Sequence, residues 1–275
     1  MTIRDLLGLA YTLADSDSPT LDAELLLSHC LKKNRTYLYT WPEREIAASD
    51  EALFRELMAR RLQGEPIAYL TGEREFWSLP LAVNNSTLIP RPDTERLVEV
   101  ALEVLPQLIA SVLDLGTGSG AIALALASQK PAWSLCGVDI DADAVRLANH
   151  NARNLSVDNV TFFQSDWFAA LSAQKFDAIV SNPPYIDADD PHLLCGDVRF
   201  EPRRALVAEQ NGLADIAAIA AQAPSFLQPG GWLLFEHGYE QGPAVRSLLS
   251  VVGFRNISTW NDWGGRERVS GGAAP

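Results

Sequence analysis

The sequence predicts an α/β protein in which a mostly parallel, seven-stranded sheet follows a small helical bundle. Residues 1–75 show apolar positions at helical spacing and almost no strand pattern. From Pro92 onward, short apolar runs alternate with helical segments. This alternation is typical of a parallel sheet with helices on both faces, whose ligands bind at the carboxyl ends of the strands.

Each element has its own signal. Helices are predicted near Ile3, near Leu21 and from Ser49 to Gly64, and Glu73–Val83 places two apolar stretches around a turn, as in a β-hairpin. The predicted strands of the sheet span 111–115, 133–139, 160–163, 176–181, 231–236, 254–260 and 266–270. The predicted helices beside it span 119–129, 141–154, 213–227 and 240–252.

Three parts are therefore expected along the chain. Residues 1–75 form an N-terminal helical domain, 76–90 a β-hairpin linker, and 91–275 the domain that contains the parallel sheet. The order follows the change of pattern near Pro92.

The composition restricts the class of protein. The 275-residue chain is 47% hydrophobic and has a net charge of −13, so its surface as a whole repels nucleic-acid phosphates. The three cysteines lack CxxC spacing and are expected to be reduced thiols in the cytoplasm. The sequence has neither a signal-peptide core nor a long apolar run, and its histidines lack ligand spacing. We expect no membrane partner, no nucleic-acid partner and no metal, and a monomer.

A glycine-rich turn joins strand 111–115 to the next helix. The residues predicted to bind a cofactor there are Gly116, Thr117, Gly118, Ser119 and Gly120. Asp139 ends the second strand about 20 residues later, where it can accept both ribose hydroxyls of an adenosine cofactor or cap the following helix. Asp114 precedes the glycines and disfavours a pyrophosphate, so S-adenosylmethionine is preferred to a nicotinamide dinucleotide.

Ser165-Asp-Trp-Phe168 follows the third strand of the sheet. Trp167 is predicted to stack on adenine, with Asp166 as a weaker candidate for accepting a hydrogen bond from the adenine amino group. The alternatives are a core tryptophan and a turn-forming aspartate.

Asn182-Pro183-Pro184-Tyr185 follows the fourth strand, 176–181. The prolines fix the backbone, supply no N–H donors and keep the preceding residue extended. Carbonyl acceptors beside an aromatic ring suit a planar –NH2 group, either an amide or the exocyclic amine of a base. A plain Pro-Pro turn is the alternative.

Several motifs in the same order carry a resemblance to a known family. They are Arg60–Gly72, Leu88–Glu95, Leu113–Gly120, Ser181–Tyr185 and Phe200–Leu206. With them the chain resembles the Rossmann-like class I S-adenosylmethionine-dependent methyltransferases that modify amino groups. Among these it is similar to the release factor glutamine methyltransferases of bacteria.

The resemblance implies methylation of the side-chain amide nitrogen, N5, of the glutamine in the Gly-Gly-Gln motif of class I peptide-chain release factors, in support of translation termination. In this interpretation the catalytic residues are Asn182, Pro183 and Tyr185. Asn182 is the centre, because its side-chain oxygen and the Pro183 carbonyl hold both N–H groups of the amide. Tyr185 packs on the amide and Pro184 completes the substrate contact, while Asn182 also contacts the cofactor.

Some alternatives stay open at this level. A related enzyme could methylate adenine in DNA or RNA, which the charge of −13 disfavours. A binding module without activity and a nicotinamide oxidoreductase are further readings. Residues Leu88–Glu95 form either a lid, with Arg91 reaching the site, or a linker into the next helix. Arg203 and Arg204 either contact a ligand or lie on the solvated surface.

Overall fold

The computed structural model describes residues 1–172 and 174–275. The chain divides into two compact units. One contains Met1–Glu73 with Leu194–Phe200, and the other contains Arg74–Leu193 with Glu201–Pro275. Each unit is described by itself.

Helices make up the first unit. They are α1 (Ile3–Leu7), α2 (Pro19–Leu31), α3 (Arg35–Thr40), α4 (Ala48–Leu62) and α5 (Ile67–Thr71), with a 3-10 helix at Gly8–Thr12. The Thr2 and Asp5 side chains each accept a hydrogen bond from the other residue's backbone N–H, which caps α1. Pro19 occupies the first turn of α2, where its missing N–H costs nothing.

The core of this unit is apolar and continuous. Its buried side chains come from all five helices and include Leu6, Leu26, Leu27, Leu38, Phe54 and Leu70. The structure confirms the helical bundle expected at the N-terminus, and it adds α3 and α5, which are too short for their spacing to be visible in the sequence.

The segment Leu194–Phe200 belongs to the helical unit although it lies far away in sequence. Arg61 donates to Asp197 at 3.1 Å and also to the buried Asp22 at 2.8 Å. The Arg199 guanidinium donates to the Gln63 carbonyl at 2.9 Å. Arginine contacts therefore tie this segment to α2 and α4.

The second unit begins within a β-hairpin of β1 (Glu73–Phe76) and β2 (Leu79–Ala82). Its two turn residues, Trp77 and Ser78, both have left-handed backbone conformations, with φ of 55° and 61°. A two-residue turn of this kind matches the right-handed twist of the paired strands. The predicted hairpin is confirmed.

A seven-stranded sheet forms the centre of this unit. Its strands are β3 (Ser111–Leu115), β4 (Ser134–Asp139), β5 (Val160–Gln164), β6 (Phe176–Ser181), β7 (Leu227–Glu236), β8 (Arg255–Asn261) and β9 (Glu267–Ala273). The order across the sheet is β5-β4-β3-β6-β7-β9-β8, and of these seven strands only β9 runs opposite to the other six. The mostly parallel, Rossmann-like sheet of seven strands is confirmed.

Helices cover both faces of the sheet. The helices of this unit are α6 (Glu95–Val104), α7 (Ala121–Gln129), α8 (Ala142–Leu155), α9 (Glu209–Gly212), α10 (Ala214–Gln222) and α11 (Gly242–Val252), with 3-10 turns at Pro92–Thr94, Pro191–Leu194, Arg203–Ala205 and Ala223–Ser225. The 3-10 turn at Gly196–Phe200 belongs to the helical unit. One buried cluster joins the sheet to α6, α7 and α8, and a second joins it to α10 and α11. Both faces of the sheet are therefore buried against helices.

Two predicted boundaries differ from the structure by four residues or more. The strand predicted at 231–236 begins earlier, at Leu227. Its pairing with β6 shifts register between Phe176 and Ala178, and this irregularity lets the strand include the two glycines before Trp232. The helix predicted at 213–227 ends at Gln222 and continues only as a 3-10 turn, since Pro224 has no N–H to donate.

The strand order places a topological switch point between β3 and β6. From β3 the chain passes through β4 to β5 on one side, and then returns to β6 on the other. The carboxyl ends of these parallel strands meet at one edge, where ligands of such sheets bind. Within residues 1–172 and 174–275, no helix has the length and hydropathy needed to cross a lipid bilayer.

Candidate active site

The glycine-rich turn after β3 is tied to the neighbouring strand. The backbone N–H groups of Gly116 and Thr117 both donate to the Val138 carbonyl at 2.9 Å, and the Gly118 N–H donates to the Asp139 carboxylate at 2.9 Å. Gly116 and Gly118 have φ values of 71° and 56°, which residues with a Cβ adopt only with strain. The turn is therefore a rigid concave surface.

The Asp114 side chain stabilises the glycine turn by accepting hydrogen bonds. Its Oδ2 accepts hydrogen bonds from the Thr117 hydroxyl at 2.6 Å and from the Ala123 N–H at 3.3 Å. Burial raises the pKa of the carboxyl to about 7. The carboxyl thus fixes the glycine turn, whereas the sequence predicts only a negative charge close to the cofactor.

Asp139 ends β4 beside the turn. Besides the Gly118 contact, its Oδ1 accepts the Asp141 N–H at 2.9 Å. The side chain of Asp141, in contrast, caps α8 by accepting the Asp143 N–H at 2.9 Å. Asp139 is therefore not the cap of α8, and each of its oxygens keeps a lone pair for another donor. Burial raises its pKa, opposed by the Gly118 N–H and by the charge of Arg204.

A cavity of about 320 Å³ opens at this edge of the sheet. Its wall contains eight of the predicted site residues: Gly116, Thr117, Gly118, Ser119, Asp139, Trp167, Asn182 and Pro184. Asp166 also lines it. The structure thus brings the ends of β3, β4, β5 and β6 to one space, of a volume that suits a small organic cofactor.

Three predicted site residues lie outside this wall. A Cβ on Gly120 would come within 3.0 Å of Leu124 and 3.1 Å of Phe162, so this position serves packing of α7 against the sheet and not the cavity. Pro183 is buried behind the wall, and Tyr185 is half-buried beside it.

Trp167 forms part of the wall after β5. Its backbone has a φ of 44°, and its carbonyl accepts a hydrogen bond from the Ser165 hydroxyl at 2.8 Å. The six-membered edge of the indole lies 3.4 Å from the position that a Cβ on Gly116 would take. The flat ring is therefore held against the glycine turn, where a planar group can stack on it.

Asn182 lies at the tip of β6. The Ser181 hydroxyl before it donates to the Leu115 carbonyl at 2.8 Å, which anchors the tip to β3. The Asn182 amide nitrogen, Nδ2, donates to the Thr94 hydroxyl at 3.3 Å. Its Oδ1 is left as an acceptor on a residue that lines the cavity.

Tyr185 is held by two polar contacts. Its hydroxyl donates to Oε1 of Glu236 at 3.1 Å, and its carbonyl accepts from the Gln241 amide at 3.0 Å. Burial raises the pKa of the Tyr185 hydroxyl, and the neighbouring Glu236 raises it further, so the phenol stays protonated. The Arg268 charge opposes both effects.

The segment Leu88–Thr94, before α6, contributes residues whose role the sequence leaves undecided between a lid and a linker. Leu88, Pro90 and Thr94 line the cavity, whereas Arg91 does not and instead pairs with the buried Glu201. Glu201 also accepts the Ile89 N–H at 3.1 Å. The segment therefore forms one wall of the cavity, and Arg91 fixes that wall.

Other wall residues were not predicted or were left undecided. They are Ser86, Thr87, Ala121, Ile122, Ile140, Ser165, Arg204, Ala205 and Asp215. Arg204 forms an ion pair with Asp141, while Arg203 lies on the exposed surface. Of these wall residues, Ser165, Arg204 and Ala205 lie in motifs that the sequence analysis identified, whereas the others gave no signal in the sequence. Among the residues that the structure describes, no three His, Cys, Asp or Glu side chains lie together as metal ligands would.

Comparisons with known proteins agree with this architecture. The family model of the PrmC N-terminal domain matches residues 9–72, and that of the methyltransferase small domain matches 95–196. The release factor glutamine methyltransferase of Vibrio cholerae is 57% identical and aligns over 93% of this chain and 90% of its own length. The relative of the same name from Escherichia coli is 52% identical over 93% and 92%.

Solved structures share the fold at low identity. A methyltransferase from Pyrococcus furiosus has a TM-score of 0.56 and 16% identity, over 79% of this chain and 98% of its own. A 16S rRNA methyltransferase from T. thermophilus, in complex with AdoMet and guanosine, has a TM-score of 0.54 and 21% identity, over 74% and 50%. At these identities the likeness concerns the fold alone.

Proposed function

The chain belongs to the release factor glutamine methyltransferase family, and we propose that it transfers a methyl group from S-adenosylmethionine to the N5 amide nitrogen of a glutamine in class I peptide-chain release factors. The observation that carries this proposal is the single cavity wall that contains the glycine turn, Asp139 and Asn182. A methyl donor and a methyl acceptor that both bind in this cavity meet at the end of β6. The reaction supports translation termination and takes place in the cytoplasm.

The residues present fit the cofactor. The Asp139 carboxylate has lone pairs for two ribose hydroxyls, and Trp167 offers a flat surface for adenine. Gly116 and Gly118 allow close approach to the backbone. We assign cofactor binding to these residues together with Thr117, Ser119 and Asn182. When bound, S-adenosylmethionine supplies a methyl group on a positively charged sulfur.

The acceptor needs activation, because the lone pair of an amide nitrogen is delocalised into its carbonyl. Asn182 Oδ1 and the Pro183 carbonyl accept the two N–H groups of the glutamine and orient the nitrogen toward the methyl group. The same oxygens stabilise the positive charge that grows on nitrogen during transfer. Once methylated, the nitrogen becomes acidic and loses a proton to solvent, so no strong base is required.

Pro184 and Tyr185 complete the acceptor site. Pro184 lines the cavity, and Tyr185 is held beside it by Glu236. Tyr185 packs on the flat amide and excludes water, which would otherwise compete for the N–H groups. The phenol acts as a neutral surface, because burial keeps it protonated.

We assign recognition of the protein substrate to the helical domain at 1–75. Large aromatic side chains are exposed there, among them Tyr11 at 78% and Trp41 at 54%. Exposed aromatic residues are enriched where proteins bind one another. Replacing Trp41 by alanine should raise KM for the release factor and leave cofactor affinity unchanged.

The test is methyl transfer in vitro. The protein is incubated with methyl-labelled S-adenosylmethionine and, in separate reactions, release factor, DNA and rRNA. Mass spectrometry should place one methyl group on the glutamine of the Gly-Gly-Gln motif. Labelling of nucleic acid alone would overturn the proposal in favour of an adenine methyltransferase, which the charge of −13 disfavours.

Variants separate binding from transfer. Asn182→Ala should still bind S-adenosylmethionine in a calorimetric titration, because most of the cavity wall is unchanged, and should lose transfer. Asn154→Ala on the exposed face of α8 is the matched control and should behave as the wild type. Full turnover by Asn182→Ala would remove Asn182 from the mechanism.

A further inference from the structure

The Gln241 side chain connects three segments beside the acceptor site. Its amide nitrogen, Nε2, donates to the Tyr185 carbonyl and to the Asn211 carbonyl, at 3.0 Å in each case. Its Oε1 accepts the Gly238 N–H at 2.9 Å. Tyr185 follows β6, Asn211 lies in α9 and Gly238 follows β7. One side chain therefore uses both of its N–H groups and its oxygen on the backbone of three separate segments.

The partners of Gln241 determine how its amide is oriented. A backbone N–H can only donate, and a backbone carbonyl can only accept. The Gly238 N–H therefore requires Oε1 and the two carbonyls require the NH2 group, so a flipped amide would lose all three hydrogen bonds. The Gln241 backbone is fixed as well, because its N–H donates to the Gly238 carbonyl at 2.9 Å and its carbonyl accepts the Val245 N–H at 3.0 Å.

The segment that contains Asn211 has an unusual backbone. Gln210, Asn211 and Gly212 all have left-handed conformations, with φ of 57°, 57° and 76°. Residues with a Cβ adopt this region at a cost in energy, so surrounding contacts have to maintain it. A Cβ on Gly212 would overlap the Tyr185 carbonyl group and would lie 2.8 Å from Gln241 Nε2. The left-handed segment therefore packs against the same carbonyl to which Gln241 donates.

The turn formed by Asn182–Tyr185 is fixed at its two ends. Its two prolines have no N–H to donate, so they add no backbone donors of their own. At the first end, the Ser181 hydroxyl donates to β3. At the other end, the peptide group after Tyr185 is bound on both sides: Gln241 donates to its carbonyl, and its N–H donates to the Leu206 carbonyl at 2.9 Å. Loss of the Gln241 donor would leave this peptide group bound on one side only.

We propose that Gln241 is a positioning residue for methyl transfer, which fixes the Tyr185 backbone so that the Tyr185 ring and the Pro183 carbonyl meet the acceptor amide. Glu236 holds the hydroxyl end of Tyr185 at 3.1 Å, and Gln241 holds the backbone end of the same residue. A displacement of about 1 Å in such a site can lower the rate about 100-fold. The inference rests on the proposed function, because it specifies how the same acceptor site is held in place.

Two substitutions separate the hydrogen bonds of Gln241. Gln241→Glu keeps an acceptor for the Gly238 N–H and adds a favourable negative charge at the start of α11, but it has no donor for the two carbonyls. Gln241→Met keeps the length and loses all three hydrogen bonds. Both should lower kcat about 10- to 100-fold and leave the affinity for S-adenosylmethionine unchanged, since Gln241 does not line the cavity. A role limited to the start of α11 would leave Gln241→Glu as active as the wild type.

A matched control and a double variant show whether Gln241 acts through Tyr185. The same substitutions at Gln222 should leave kcat unchanged, because this exposed glutamine ends α10 and its amide donates to Ala218 of the same helix. In a Tyr185→Ala background, Gln241→Glu should lower kcat less than it does in the wild type, because no ring remains to be positioned. Losses that simply multiply would overturn the inference.

A second measurement does not depend on turnover. In ¹⁹F spectra of the protein labelled with 3-fluorotyrosine, the Tyr185 signal is identified by its absence from Tyr185→Phe. This signal should shift or broaden in Gln241→Glu and in Gln241→Met, because the ring is then held from its hydroxyl end alone. In Gln222→Glu it should match the wild type.

The outcomes are distinguishable. A wild-type protein that methylates no release factor contradicts the proposed function itself. An active wild type, together with a Gln241→Glu variant that has a normal kcat or an unchanged Tyr185 signal, overturns only the inference. If Gln241→Met fails to fold, Gln241→Glu decides by the same two measurements, because it retains the hydrogen bond to Gly238.

Discussion

The Asp139 carboxylate accepts a hydrogen bond from the Gly118 backbone at 2.9 Å, and this contact joins the end of β4 to the glycine turn after β3. The acidic residue thus has two roles at once. It fixes the turn, and in the proposed function it offers the remaining lone pairs to the cofactor. Both roles depend on the negative charge of the carboxylate, so a substitution that removes this charge tests them.

Asp139→Asn should weaken binding of S-adenosylmethionine by about 10- to 100-fold. The change removes the charge and one acceptor, and hydrogen bonds to charged groups contribute about 1.5–3 kcal/mol each. Calorimetric titration measures the loss. Asp158→Asn, on an exposed turn after α8, is the control. Equal affinities for the two variants would show that Asp139 acts only within the fold.

Trp167→Ala should lower cofactor affinity about tenfold, since stacking of a base on an aromatic ring contributes about 1–3 kcal/mol. Trp167→Phe should lose less, because a smaller ring still stacks. The control is Trp263→Ala, whose side chain is 82% exposed. Adenosine should compete with S-adenosylmethionine less well in Trp167→Ala, and unchanged competition would exclude stacking on this ring.

Arg91→Ala should reduce the free energy of unfolding by about 1–3 kcal/mol, because Glu201 then loses a charged partner in a buried place. Urea unfolding followed by circular dichroism gives the value. The exposed Arg203→Ala should stay within about 0.5 kcal/mol of the wild type. If both variants unfold alike, the Arg91 pair does not stabilise the cavity wall.

Asp114→Asn should flatten the dependence of stability on pH. The pKa of this carboxyl is raised to about 7 in the folded protein, so the fold favours the protonated form. Its contribution to stability is complete below the unfolded pKa and decreases as pH rises toward 7, because the unfolded chain ionises first. The variant cannot ionise and still accepts hydrogen bonds.

The measurement for Asp114→Asn is the free energy of unfolding at about pH 5 and pH 8, where the carboxyl is respectively protonated and ionised in the fold. Relative to the variant, the wild type should be less stable at the higher pH. Asp158→Asn serves again as the control. A constant difference between wild type and Asp114→Asn at both pH values would contradict the raised pKa.

The fold of the second unit could be predicted closely because β3, β4, β6 and β7 contain buried apolar runs. The run at β3 and the glycine turn after it needed no tertiary information, since the periodicity and the glycines are local. In contrast, α3 consists of six residues with no clear apolar stripe. Its place depends on packing of Leu38 in the bundle core, which local patterns do not reveal.

The site was predictable to the extent that its residues lie in motifs. Asn182 follows β6 and Asp139 ends β4, and both are polar, which marks them in the sequence. Thr94 and Glu236 are separated by more than half of the chain, and neither shows an unusual local pattern. Thr94 contacts Asn182 and Glu236 contacts Tyr185 only because the strand order and the start of α6 bring these residues together. Such contacts require the tertiary structure.

The position of β9 affects how the protein is made. This strand, Glu267–Ala273, lies between β7 and β8 in the sheet. Ribosomal synthesis delivers β7 and β8 first, so the edge of β7 stays open until residues beyond 267 have left the exit tunnel. Nascent chains that stall before this point should therefore depend on chaperones to cover that edge, and the sheet closes only after β9 is available.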